Sequence, residues 1–285
     1  MLTREKTFQK IEESLLLPNI SDRTHQIFSL LQTPRLIDID QLVEIIAADQ
    51  ELTGLILSQL NAAFDGRRFV TELKDAVVLL GLESVQNLLI FFVAQKFFKS
   101  GGGKSVVFDM RKYWRHVLAT SIAADMLSAR IGAQNHFQLF SYGLNHDIGL
   151  LVMNTCLSKE LDEITVKIMG GVPQIVAEKS VLGGVTHDQI GAWLCRRWNF
   201  TPELTRVVQY HHTPYLCTEN LRMLEIIFLA DLIGTHYYER LLNVNKVMPT
   251  SARALKSLGL TFNDQQDIGE QLPPKVDALA KQFRL

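Results

Sequence analysis

The sequence is poor in the features that mark secreted, membrane-bound and nucleic-acid-binding chains. Cysteine is scarce: Cys156, Cys195 and Cys217 are the three in 285 residues, with no CxxC spacing. That excludes a disulfide scaffold and a zinc ribbon, and leaves the thiols as small apolar core residues. Long apolar runs are missing too. The longest, Leu88–Ala94, falls well short of the roughly 20 residues that a bilayer-spanning helix needs. The first residues, MLTREKTFQK, carry charge where a secretory signal requires an apolar stretch. A cytoplasmic location without membrane contact is the expectation. Neither sign of charge dominates, with 29 Lys and Arg against 30 Asp and Glu and a formal charge of −1. Basic residues come as scattered pairs (Arg67-Arg68, Arg196-Arg197) and form no stripe, so a nucleic acid polymer is not an expected partner.

Strand patterning is nearly absent, and what is present is helical. The 47% hydrophobic content is ample for a core. Leu42, Ile45, Ile46, Leu52, Leu55, Ile56 and Leu60 follow the spacing of one buried helical face, with Asp38 as N-cap. The stretch from Ala76 to Leu80 ends at Gly81, placed for a left-handed cap. Residues 83–99 predict a helix that is apolar on most sides. Gly101-Gly102-Gly103 breaks the chain into two helical halves. After it the periodicity predicts helices around 109–130, 137–154, 185–198, 202–212 and 219–240. Gly132 caps the first, and Thr201-Pro202 starts the fourth. Residues 242–285 are more polar, carry Pro249, Pro273 and Pro274, and read as a C-terminal extension of one or two helices. The fold class is all-α.

Certain polar residues fall on faces that must be apolar. Asp147 has Gly143, Leu144, Leu150 and Leu151 one helical turn away. A carboxylate there costs several kcal/mol unless it is paired or metal-bound. Asp231 sits among Ile227, Phe228, Gly234 and Thr235. His116, His146, His187, His211 and His212 each share an apolar face. A lone histidine in such a place more often hydrogen-bonds a backbone carbonyl, and a lone aspartate can pair with an arginine. Five imidazoles and two carboxylates spread over five helices favour a shared site. Imidazole plus carboxylate without thiolate suits Fe, Mn, Zn or Ni rather than Ca or Mg. Helical bundles build metal sites from side chains that converge in this way. Arg111, Lys112 and Arg115 next to His116 form either a phosphate entrance or an exposed helical turn.

His116, then His146-Asp147 in GLNHDIG, then Asp231 in FLADLIG, resembles the H…HD…D signature of the HD superfamily of metal-dependent phosphohydrolases. Glu178, then HDQIGAWLCRRW from His187 to Trp198, Pro202 and finally His211-His212, is similar to the HDOD branch. That branch is related to the HD-GYP cyclic-dinucleotide phosphodiesterases. In the N-terminal half LLLPNI, IIAADQELTGLILSQLNAAF and DAVVLLGLESVQNLLI resemble the HDOD helices that precede the HD-like core. The resemblance covers roughly residues 15–240. It implies a two-part all-α fold, with an N-terminal helical subdomain over 1–100, an HD-like core over 105–240 and a C-terminal extension over 241–285.

HDOD domains generally serve bacterial signalling as non-catalytic output or scaffold modules. The resemblance therefore implies a signal-transduction module acting through protein partners. Its ligand set implies one metal on His116, His146, Asp147 and Asp231. Asp147, the candidate catalytic residue, would bridge to a second metal on His187 and His211 or His212. The alternative is a metal-dependent phosphohydrolase acting on a nucleotide or other phosphoester. Two departures count against cyclic di-GMP hydrolysis. Leu150 stands where HD-GYP enzymes carry lysine, and TPYLC replaces the GYP loop. Asn145, directly before the HD pair, has no explanation in the sequence.

Overall fold

Local sequence sets most helix starts. Asp38 accepts from Asp40 N, Asp109 from Arg111 N and Thr201 from Leu204 N, each satisfying an amide that the helix leaves unpaired. In the computed structural model, described over residues 2–14, 27, 38–50, 52–54, 56–57, 70–100, 105–133, 136–242, 247–283 and 285, every regular element among those residues is a helix. In chain order these include α1 (Arg4–Ser14), α2 (Ile39–Ala47), α3 (Leu73–Leu80), α4 (Leu82–Ser100), α5 (Met110–Arg130), α6 (His136–Asn145) and α7 (Ile148–Cys156). They continue with α8 (Ser158–Met169), α9 (Gln174–Val181), α10 (His187–Arg197), α11 (Pro202–Tyr210), a 3-10 turn at Pro214–Leu216, and α12 (Leu221–Leu241). The chain closes with α13 (Ala252–Leu258) and α14 (Phe262–Gln282). The triple glycine, the LLLPNI segment, Leu55, Leu60 and the Arg67-Arg68 pair lie outside the described residues.

α5 is the central helix, packed on by α6, α12 and α14, while α10 packs between α7 and α11. α4 is buried along most of its length, from Val85 through Leu88–Ala94 to Phe98, and lies against α6. Three expectations need correction. The helix expected over 137–154 breaks into α6 and α7 at His146-Asp147. Gly81 has the expected positive φ of 81°, but its ψ of 147° leaves in an extended direction rather than as a left-handed helical cap. The C-terminal extension forms two helices as expected, with Pro273 and Pro274 inside α14. There Arg130 binds Asp264 and Asp267 at one end, and Arg115 binds Asp277 at the other, clamping the helix to α5 on both sides of the prolines. Cys156 and Cys195 are buried core residues, but Cys217 is only half-buried.

The structure also accounts for Asn145. Its side-chain amide donates to Asn87 O (2.9 Å) on α4 and to Ser141 O (3.0 Å) on its own helix. The residue therefore ties the HD pair to the N-terminal helices, and an apolar residue there would leave the Asn87 carbonyl without that donor. No single helix among the described residues is long and apolar enough to cross a membrane.

Candidate metal centre

Glycines let the helices that carry the candidate ligands come close together. A Cβ on Gly149 of α7 would lie 1.9 Å from His187 O, and one on Gly143 of α6 would lie 2.6 Å from Ser121 Cα. One on Gly234 of α12 would meet Thr120 Oγ1 at 2.2 Å, and one on Gly191 of α10 would meet Val208 Cγ1 at 2.6 Å. No side chain fits at these crossings. The close packing brings together His116 from α5, His146-Asp147 from the α6–α7 break, His187 from the start of α10, His211-His212 after α11, and Asp231 from α12. All are buried except His212, which is half-buried.

The donors form two groups, His116, His146 and Asp231 in one, and Asp147, His187, His211 and His212 in the other. Asp147 reaches both. Its Oδ2 lies 3.1 Å from His116 Nε2 and 3.5 Å from His146 Nε2, while Oδ1 lies 3.1 Å from His187 Nε2 and 3.4 Å from His211 Nε2. Asp231 Oδ1 lies 3.4 Å from His146 Nε2 and 3.5 Å from His116 Nε2, and its Oδ2 faces His212 Nδ1 at 3.2 Å. The break at 146–147 explains this reach: it frees the Asp147 side chain from one helical face and places it at the N-terminal end of α7.

Hydrogen bonds on the far side of the rings set which nitrogen is free. His146 Nδ1 donates to Gly143 O (2.7 Å) and His211 Nδ1 to Val208 O (2.9 Å). His187 Nδ1 donates to the Glu178 carboxylate (2.7 and 2.9 Å), which also accepts from His187 N. Each ring therefore turns Nε2 inward, oriented by a partner of the kind that metal-binding histidines use. His187 Nε2 stands 3.3 Å from His211 Nε2 and 3.0 Å from His212 Nε2, and His116 Nε2 stands 3.3 Å from His146 Nε2. Lone pairs facing each other at these distances require a cation or protons between them. For metal–ligand bonds of about 2.0–2.1 Å, neighbouring ligands are separated by about 2.9 Å in an octahedron and about 3.3 Å in a tetrahedron. The observed separations match such ligand edges, so the residues fit a transition metal. When bound, it would supply a Lewis acid and a water of lowered pKa.

Charge follows the same geometry. Asp147 is fully buried, which opposes its ionisation, but His146, His187 and His116 outweigh burial and hold it well below the usual carboxylate range. Asp231 is held low against burial by His146 and His212. Burial also opposes charge on His187, yet Glu178 and Asp147 raise it well above the ordinary imidazole value. His146 is raised against burial by Asp147 and Asp231. His211, pressed by burial and by His212, falls to about 4 and is neutral.

A cavity of about 50 Å³ opens on the cluster, and Phe108, Leu150, Leu161, Ile164 and Ile168 form its apolar wall. Tyr113, Gln174, Thr235 and Tyr238 add polar groups to the lining, which contains no lysine or arginine among the described residues. Arg115 is taken up by Asp277 and by Tyr237 Oη (3.2 Å), and Arg111 is exposed beside Asp109. The turn they share is the structural alternative and not a phosphate entrance. Sequence reasoning assigned no helices to 155–184, so it missed the cavity wall on α8 and α9. Leu161, Ile164 and Ile168 at helical spacing carried the signal. Glu178 was visible only in the resemblance, because its role depends on a histidine nine residues away.

The profile of the HDOD domain matches residues 17–214. This chain belongs to the HDOD family. An HDOD domain protein of unknown function from Geobacter sulfurreducens superposes on this HDOD chain with a TM-score of 0.70 at 21% identity, over 98% of this chain and 97% of that one. A provisionally named phosphohydrolase from Shewanella amazonensis SB2B gives 0.66 at 22%, over 97% of both chains. At these identities the likeness is one of fold. An uncharacterized protein of Treponema pallidum (strain Nichols) is 23% identical over 220 residues, which is 76% of this chain and 42% of that protein. The HDOD chain thus spans less than half the length of that relative.

Proposed function

We propose that this HDOD chain is a cytoplasmic signal-transduction module with a dinuclear centre of Fe, Mn, Zn or Ni, acting through protein partners. The observation that carries the reading is a largely buried His/Asp ligand set beneath a small cavity whose lining, among the described residues, has no lysine or arginine. His116, His146 and Asp231 would hold one ion, His187, His211 and His212 the other, with Asp147 between them. Ligand pockets for molecules of drug or nucleotide size run to about 300–1,000 Å³, and this cavity is about 50 Å³. Leu150 lines the cavity where a phosphate-binding lysine would be needed. Val166, Met169 and Val176 stand exposed on α8 and α9, whose other faces line the cavity, which offers protein partners a surface coupled to the centre.

A second reading, a metal-dependent phosphohydrolase, is favoured by one observation: Asp147 reaches both donor groups, the arrangement a two-metal hydrolase uses. Elemental analysis of the purified chain, followed by a phosphoester screen with the bound metal, separates the two. The module reading expects metal without turnover. Clear hydrolysis that disappears in Asp147→Ala supports the phosphohydrolase instead, and a chain that cannot be loaded with any of the four metals removes both.

A further inference from the structure

The wall of the cavity carries an inference about what enters it. Asp147, Asp231 and Glu178 line the cavity together with His116 and His212, and among the described residues the lining has no lysine or arginine. A metal held on these donors would add the fixed positive charge that draws an anion in. Away from the floor the wall is apolar, formed by Leu161, Ile164 and Ile168 of α8, with Leu150 and Phe108. Phe108 is held in place because Asp162 of α8 accepts from Val106 N (3.1 Å) and Val107 N (2.9 Å). Tyr238 lines the same cavity edge-on to His116, and its hydroxyl has no hydrogen-bond partner among the described residues, which leaves it as a donor for a ligand oxygen. About 50 Å³ is room for roughly four water-sized atoms, at about 10–15 Å³ each.

A phosphate group fits this description poorly. It brings up to two negative charges and several oxygens to a wall with almost no free donors. A monoanion with one polar end and a short hydrocarbon end fits both halves of the cavity. We propose that the cavity binds a short-chain aliphatic monocarboxylate of two or three carbons, its carboxylate toward the metal centre and Tyr238 and its chain against Leu161, Ile164 and Ile168. The inference rests on the metal centre of the proposed function and gives that module a small-molecule signal.

Titration calorimetry of the full chain, metal-loaded and metal-free, tests it with acetate, propionate, butyrate and hexanoate, and with inorganic phosphate and AMP for comparison. The loaded protein should bind acetate and propionate, gaining about fourfold in affinity with the one added methylene and nothing further with butyrate or hexanoate. The metal-free protein should bind none of them. Ile168→Phe should bring propionate down to the level of acetate. Leu161→Ala should move the preferred chain to a longer acid. Tighter binding of phosphate or AMP than of propionate overturns the inference, as does equal affinity for acetate and propionate or affinity independent of metal. Both results leave the metal centre standing. A chain that takes up no metal overturns the proposed function, and this inference with it.

Discussion

Gly149→Ala probes the construction of the centre most sharply. In a helix this change ordinarily stabilises by up to about 1 kcal/mol, because alanine loses less backbone entropy on folding. Here the added Cβ would stand 1.9 Å from His187 O and 2.9 Å from Gly191 N, both backbone atoms that cannot swing aside. Reaching an ordinary contact of 3.4 Å requires α7 and α10 to separate by roughly 1.5 Å, a case of overpacking that costs about 1–3 kcal/mol. The same displacement carries Asp147 away from His187 and His211. Their present 3.1 and 3.4 Å separations, close to the ligand edge of a single ion, would then widen past the geometry that neighbouring ligands at about 2.0–2.1 Å can share. The variant should therefore fold with a Tm lower by several degrees. It should lose the metal held by His187, His211 and His212 while keeping more of the metal on His116, His146 and Asp231. Differential scanning calorimetry and elemental analysis read the two effects. Gly54→Ala is the control, since a Cβ there meets nothing within 4 Å, and it should leave metal content unchanged without lowering Tm. Wild-type Tm and full metal content in Gly149→Ala would refute the reasoning.

Removing the partner of His187 should act through orientation alone. Glu178→Gln keeps the shape of the side chain but not its charge, and metal affinity should fall about 10–100-fold with little change in far-UV circular dichroism. Unchanged affinity would mean that Glu178 does not orient the ring. Metal binding should also depend on pH in a defined direction. His146 and His187 hold their protons more tightly than ordinary imidazoles, so a divalent ion must displace them. Affinity should then rise from about pH 6 to 8, with proton release visible in calorimetry across buffers of different ionisation enthalpy; a flat profile counts against it. At the C-terminal end, Thr261→Ala removes the capping box with Asp264. It should cost about 0.5–2 kcal/mol in denaturant unfolding and leave metal content intact, whereas loss of metal would show that α14 holds the centre directly.

The polar residues that broke apolar helical faces were legible in the chain: His116, His146, Asp147, His187, His211, His212 and Asp231 all meet at one place. They stood out because burying a charge or an imidazole needs compensation, and compensation implies neighbours. Helix starts at Asp38, Asp109 and Thr201 depend on contacts within one turn, so they too lie within reach of sequence reasoning. The break at His146-Asp147 does not. Periodicity runs smoothly from α6 into α7, and only packing against α10 gives the chain a reason to turn there. Asn145 and Glu178 act on partners in other helices, and their roles have no local signature.

By itself the sequence determined the helical class, the candidate donors and the near-neutral charge balance, because periodicity, residue chemistry and net charge are properties of the chain read in order. Which donors share an ion, which ring nitrogen faces inward and how small the cavity above them is were decided only by the tertiary structure. Those outcomes depend on how closely helices approach, and the approach is set by Gly143, Gly149, Gly191 and Gly234 at crossings between segments distant in sequence.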